Sequence, residues 1–367
     1  MFGVAMSFEN DYSLLDRLLH YTALSSSHLQ KALFDIESSL YRKQLSKAKS
    51  DSEVFVTGLP RAGTTLILDL LYKTGEFTTY TYRNMPFVMS PLLWNKISSP
   101  FQKKAIVKER AHGDGMEVSF DSPEAFEEII WLALCSNDIV KSDFLAPLND
   151  LSVSDEIREI MQGAIKKLIL LASANGTQPG GVRYLSKNNA NISRIKLISE
   201  LFPSSMVVVP FRNPADHVGS LMRQHKLFSE RHREDKFSQR YMKWLGHYEF
   251  GNNLKPINFD GWLDKYQTPY KADENFWLEY WIAAHSSILK FKHENIRLLN
   301  YDDLLVNGRA VLERLADFLS IQNKDKLVSG ANSLRSPTTQ SSSLSSFQDN
   351  LQNEALQLYE QLKAQAI

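Results

Sequence analysis

Short runs of β-branched residues alternate along the chain with longer stretches in which apolar residues recur every three or four positions. Leucines at helical spacing make residues 11–48 a helical arm. Residues 53–57, Glu-Val-Phe-Val-Thr, form a short strand, and Thr64 to Lys73 form an apolar helix ending near Gly75. Residues 122–136 are expected to be helical, with Ser122 as cap, Pro123 at the first position and Glu124 in the first turn. A second helix covers 152–174, with Asp155 and Glu156 near its start. After the Gly180-Gly181 break come a short strand from Val182 to Leu185 and a helix over 190–201 that stops before Pro203.

Met206 to Phe211 is an unbroken apolar run, as expected of a parallel strand covered on both faces. Asn213 then caps a helix reaching about His225, and a charged, aromatic helix occupies 228–250. Residues 251–272 are loop-like, and the helix over 273–293 carries a core stripe of Phe276, Trp277, Tyr280 and Trp281. A strand from Ile296 to Asn300, a helix over 308–320, a serine-rich loop over 330–346 and a helix over 348–365 complete the chain. There is no internal repeat. Strands alternating with helices predict an α/β fold, a parallel sheet flanked by helices. The division expected is an arm over 1–50, a principal domain over 51–325, and a C-terminal loop and helix over 326–367 packed on it.

Charge changes this picture little. Lys plus Arg and Asp plus Glu each number 42, so no basic excess points to nucleic acid or a membrane surface, and any anion site must be local. No run approaches the roughly 18 apolar residues of a membrane span. Glu9 and Asp11 precede any apolar stretch, unlike a signal peptide, and the single Cys135, in an apolar run, cannot form an internal disulfide. A cytoplasmic home is the expectation. On that reading the sequons at Asn175 and Asn191 are fortuitous.

The chemistry concentrates in two stretches. In "TGLPRAGTT", residues 57–65, Gly58 and Gly63 have the spacing of the nucleotide loop G-x-x-x-x-G-K-[ST]. Thr64 stands where that loop has lysine, and Arg61 lies inside the turn. Backbone N–H groups and a helix start still make an anion cradle there, and an arginine fork suits a tetrahedral oxyanion. In "VPFRNPADHVGS", residues 209–220, Arg212 falls at the carboxyl end of the predicted buried strand, with Ser220 eight residues on. Ligands of open α/β sheets bind at that end. Together the stretches suggest a ligand with two separated phosphate groups.

This pair resembles the sulfotransferase family, which uses 3′-phosphoadenosine 5′-phosphosulfate (PAPS). The resemblance implies a P-loop-like sulfotransferase fold. It implies that Pro60, Arg61, Ala62, Gly63, Thr64 and Thr65 hold the 5′-phosphosulfate, as in the family's P-[KR]-x-G-T-T motif, and that Arg212 and Ser220, matching R-x7-S, hold the 3′-phosphate. A lysine matching Lys187, in "YLSKNNANISRIKLISELFPSSMVVVPFRNP", would face the leaving phosphosulfate oxygen. "LLNYDDLL" resembles the Y-E-D-L turn whose tyrosine, here Tyr301, contacts the nucleotide. The resemblance spans about 53–320 and implies transfer of a sulfuryl group to a hydroxyl of a glycan or small molecule, with Arg61 and Lys187 stabilising charge on the departing oxygen. Arg61 in place of lysine resembles the carbohydrate, protein-tyrosine and bacterial branches.

The general base departs from those branches. The stretch past the first motif, "TTYTYRNMPFVMSP", holds no carboxylate, and no K-T-H tripeptide occurs. His112, with Asp114 and Glu117 as alternatives, lies in a glycine-containing loop and is the expected base. His217, His225 and His232, close to arginines, are read as surface residues. No histidine pair has metal-ligand spacing with a third partner, so no metal is expected. Tyr80, Tyr82, Arg83, Phe87 and Trp94 are expected to line the acceptor cleft. Two other readings are a P-loop kinase, disfavoured by Thr64 and by arginine at the strand end, and a non-catalytic nucleotide-binding protein on the same fold.

Overall fold

The computed structural model describes residues 14–49, 51–98, 108–109, 117–118, 122–148, 151–174, 182–291, 293–334 and 347–367. The central sheet holds β1 (Val54–Val56), β2 (Phe77–Thr78), β5 (Arg183–Lys187), β6 (Met206–Phe211) and β7 (Ile296–Asn300) in the order β2-β5-β1-β6-β7. Every neighbouring pair is parallel, with Val54 opposite both Leu185 and Met206. A separate antiparallel pair joins β3 (Lys108–Glu109) to β4 (Glu117–Val118).

The period of two along a strand splits the core. Phe55, Tyr184, Val207 and Val209 point to one face, where α6 (Glu128–Ile139), α7 (Asp155–Ala174), α8 (Ile195–Leu201), α9 (Pro214–Glu234) and α11 (Glu274–Leu289) pack. Val54, Val56, Leu185, Val208 and Leu299 point to the other, against α4 (Thr64–Tyr72), α13 (Gly308–Phe318) and α14 (Lys324–Ser329). Helices on both faces explain why β1 and β6, at the centre of the sheet, are apolar throughout. The aromatic stripe of α11 is core, with Phe276, Trp277 and Trp281 fully buried.

The N-terminal stretch forms three helices, α1 (Leu14–Leu24), α2 (Ser27–Leu40) and α3 (Arg42–Leu45), because Ser26 breaks the run and caps α2 through Leu29 N. α2 and α5 (Pro91–Ser98) both pack near α7. Two segments depart from expectation. Ser122 is not the cap of α6: Pro123 bridges to Thr81 and Glu124 N donates to Tyr80 O, and α6 starts only at Glu128. The helix expected over 228–250 is two helices and a loop. α9 continues to Glu234, Asp235 caps α10 (Lys236–Trp244), and Gly246, at φ +81°, ends helical structure before residues 247–250.

At the far edge, α12 (Tyr301–Val306) leads from β7 toward α13, and α15 (Asp349–Lys363) packs on α11. The chain then bridges in parallel from Ala366 to Leu298 and covers the exposed edge of β7. No helix among the described residues is long and apolar enough to cross a membrane. Cys135 is buried, and its thiol, pushed up to about 11 chiefly by burial, stays protonated.

Candidate active site

Four parallel strands deliver the candidate residues to one edge. β1 ends in the glycine loop, β5 ends at Lys187, β6 runs into Arg212 and β7 into Tyr301. The carboxyl ends of neighbouring parallel strands are where open α/β sheets bind ligands.

The loop needs its glycines. Gly63 caps α4 at φ +95°, and a Cβ there would lie 2.4 Å from Cδ2 of Tyr301. Gly58, at φ +154°, would place a Cβ 2.9 Å from the Pro210 carbonyl oxygen. Arg61 holds the left-handed φ of +71° that non-glycine residues rarely adopt, a strain typical of ligand clamps. The turn thereby leads its backbone N–H groups into the start of α4, an anion-binding arrangement.

The two motifs meet. Arg61 Nε donates to Ser220 Oγ at 3.3 Å across 159 residues of sequence. His217, on the same helix as Ser220, lies with Nε2 2.8 Å from the Pro60 carbonyl oxygen, so Nε2 carries the proton. Burial above all depresses His217 to about 3, which keeps the ring neutral. Arg212 Nε stands 3.9 Å from Asp302 Oδ1, and its guanidinium lies over the Tyr301 ring, 5.5 Å from the centroid. That Nε is buried with no hydrogen-bond partner among the described residues. Pro60, Ala62, Thr64 and Ser220 are buried, and Thr65 is half-buried.

Beside the loop lies a cavity of about 30 Å³. Its polar wall is Glu128, Lys187, Asn188, Asn189, His247 and Glu249, and its apolar wall includes Leu59, Leu145, Leu254 and Ile257. Thr64 Oγ1 donates to Asn189 Oδ1 at 3.1 Å, and Thr57 Oγ1 to the Asn189 carbonyl at 3.3 Å, so the loop after β5 is tied to the glycine loop. Asn188 Nδ2 donates to Glu128 Oε2 at 2.7 Å, and Arg194 Nη2 to both Glu128 oxygens at 2.9 Å. Glu128 also backs Gly246, where a Cβ would fall 2.3 Å from its Cγ.

His247 Nδ1 faces Glu249 Oε2 at 3.5 Å. Burial alone would depress the imidazole, but the Glu249 charge and hydrogen bond, with Glu124, outweigh it and raise the pKa above 6.5. Burial would raise Glu249, yet His247 first, then backbone and Lys187, hold it down at about 2. The result is a histidine oriented by a carboxylate at the mouth of a lysine-lined cavity, an arrangement able to accept a proton.

A profile described as sulfotransferase family matches residues 53–325. The chain belongs to the sulfotransferase family. No curated protein sequence matches this sulfotransferase. Among solved structures it is similar to the sulfotransferase STF9 from Mycobacterium avium, at 12% identity, 96% of this chain, 87% of that one and a TM-score of 0.51. It is also similar to the sulfotransferase STF1 from Mycobacterium tuberculosis H37Rv, at 12% identity, 97% of this chain, 88% of that one and a TM-score of 0.49.

The sulfotransferase thus brings Pro60–Thr65, Lys187, Arg212, Ser220 and Tyr301 to one sheet edge. His112 and Asp114 lie outside the described residues, and Glu117 enters only through its backbone in β4. None of Tyr80, Tyr82, Arg83, Phe87 and Trp94 lines the cavity beside Lys187. Tyr80 is core, Tyr82 donates to Glu124 Oε2 at 3.0 Å, and Phe87 packs on Trp94. The surface reading of the histidines is corrected. His217 and His232 are buried and His225 is half-buried, each on the inner face of α9. Sequence reasoning missed His247, Glu249, Asn189 and Glu128; the signal available was Gly246, a break inside an otherwise helical pattern.

Proposed function

We propose that this sulfotransferase moves a sulfuryl group in line from PAPS to a hydroxyl of a glycan or small-molecule acceptor, with His247 as general base. The observation that carries the reading is the junction of the glycine loop with the Arg212–Ser220 element through Arg61 and Ser220. The residues fit the donor on structural grounds. A Cβ at Gly63 would collide with the Tyr301 ring, α4 starts there, and Arg212 holds a buried Nε without a protein hydrogen bond among the described residues.

When bound, PAPS supplies the sulfuryl group; the S–O bond to its phosphate breaks as the S–O bond to the acceptor forms. The turn Pro60–Thr65 would hold the 5′ end, and Arg212, Ser220 and Tyr301 the 3′ end. Lys187 and Arg61 would stabilise charge on the departing oxygen more than in the ground state, which lowers the barrier. His247 would take the acceptor proton on Nε2 while Glu249 holds Nδ1. The apolar wall of Leu145, Leu254 and Ile257 favours an acceptor with an aliphatic or ring face.

The test is transfer of labelled sulfate from PAPS to a panel of metabolites and glycan precursors, with excess EDTA present. Sulfated product on a hydroxyl acceptor is the expected result. No product, together with no calorimetric affinity for adenosine 3′,5′-bisphosphate (PAP), would overturn it.

A further inference from the structure

The C-terminal helix lies beyond residue 325, where the family match ends. It nevertheless reaches the donor site. Leu351, Ala355, Leu358, Tyr359 and Leu362 bury one face of α15, which seats the helix on α11. From that face the Tyr359 ring meets Phe211 edge-on at 5.9 Å, next to Arg212. Its hydroxyl donates to Asp302 Oδ2 at 2.9 Å. Burial, then the Asp302 charge, holds this phenol far above its ordinary value, so it stays a donor.

Asp302 Oδ2 also accepts from Asn213 N at 2.7 Å, while Oδ1 remains 3.9 Å from Arg212 Nε. The spacing matters. A carboxylate and an arginine fork readily close into a bidentate pair, and a fork so occupied could not grip a phosphate. Two donors on one oxygen restrain the carboxylate. It remains near enough to orient Arg212 and too far to saturate it.

We propose that Tyr359 is a positioning residue for the nucleotide 3′-phosphate: by holding Asp302 it keeps the Arg212 fork available and aimed. This rests on the donor reading above. It makes the C-terminal helix part of the mechanism that distinguishes 3′-phosphorylated nucleotides from others.

The experiment is calorimetry of PAP and of adenosine 5′-monophosphate with the full chain, Tyr359→Phe, Asp302→Asn and the double variant, with melting temperatures measured alongside. Tyr359→Phe should weaken PAP by about fivefold, the worth of one ordinary hydrogen bond. It should leave the monophosphate unchanged. In the Asp302→Asn background it should change nothing further, because the two residues act as one unit. Equal losses for both nucleotides, an undiminished effect without the Asp302 charge, or no effect on PAP would each overturn the proposal. If the Phe variant does not fold, Asp302→Asn alone makes the same contrast between nucleotides. A wild-type chain without PAP affinity would instead sink the donor reading, and this proposal with it.

Discussion

Asn189 and Glu249 meet amide to carboxylate, Nδ2 to Oε1, at 3.5 Å. The other end of that amide accepts from Thr64 Oγ1, so one side chain links the glycine loop to the carboxylate behind His247. The carboxylate can only accept, so it fixes the amide nitrogen toward Glu249, and Thr64 then donates to the oxygen at the other end. Asn189→Ala would release Glu249 and cost Thr64 Oγ1 its acceptor, while the backbone N–H groups of the turn stay in place. Turnover should fall about tenfold, on the scale of a hydrogen bond to a charged group. PAP affinity, measured by calorimetry, should stay within error, and equal losses in both would mean a collapsed loop rather than a detached base.

The pH dependence has a definite sign. His247 accepts a proton only when neutral, and its pKa lies above 6.5, so kcat/KM should climb with pH through a midpoint above 6.5. In Glu249→Gln the burial and Lys187 effects that depress the imidazole remain, and the main elevating one is gone. The midpoint should move down. Linkage adds a stability counterpart: the raised His247 contributes fully below 6.5 and loses its share as pH rises through its folded value. Glu249 contributes above 4.5 and loses its share as pH falls toward about 2. An unshifted rate midpoint in the Gln variant removes His247 from the role of base.

Lys187 and Arg212 should separate kinetically. Both sit at strand ends of the same sheet edge, but Lys187 opens on the cavity and Arg212 lies by Tyr301. Lys187→Ala should lower turnover on the order of 100-fold, about 3 kcal/mol, as expected for a charge-stabilising group in the transition state. Arg212→Ala should act mainly on the Michaelis constant for PAPS. Intact turnover in Lys187→Ala would refute its assignment.

Local signals explain what could be read beforehand. Gly58 and Gly63 announce the turn by spacing, and the run from Met206 to Phe211 can be only a covered strand. His247 and Glu249 were hidden because the charged, aromatic pattern after His225 continues past them, and the true end is set by Gly246 packing on Glu128. That contact joins residues far apart in sequence. Ser122-Pro123-Glu124 has every mark of a helix start, yet a bridge to Thr81 claims the backbone first. The buried histidines were legible after all: His217, Leu221, Gln224, Phe228 and His232 recur at helical spacing on α9, and neighbouring arginines masked the stripe.

The N-terminal helices offer a stability test independent of the chemistry. Lys167 of α7 and Glu37 of α2 are both fully buried, 3.6 Å apart. Lys167 Nζ donates to the Phe34 carbonyl at 2.8 Å, and Glu37 Oε2 accepts from Leu93 N of α5 at 2.6 Å. Burial pushes Lys167 down to about 8 and raises Glu37, so neither charge is at ease without the other. Lys167→Met should therefore strand a carboxylate in the core and cost about 3–5 kcal/mol, visible as a lower urea midpoint. Adding Glu37→Gln removes the stranded charge and keeps an acceptor for Leu93 N, so much of the loss should return. A single variant costing under about 1 kcal/mol would show that the buried pair is not what joins α2 to the domain.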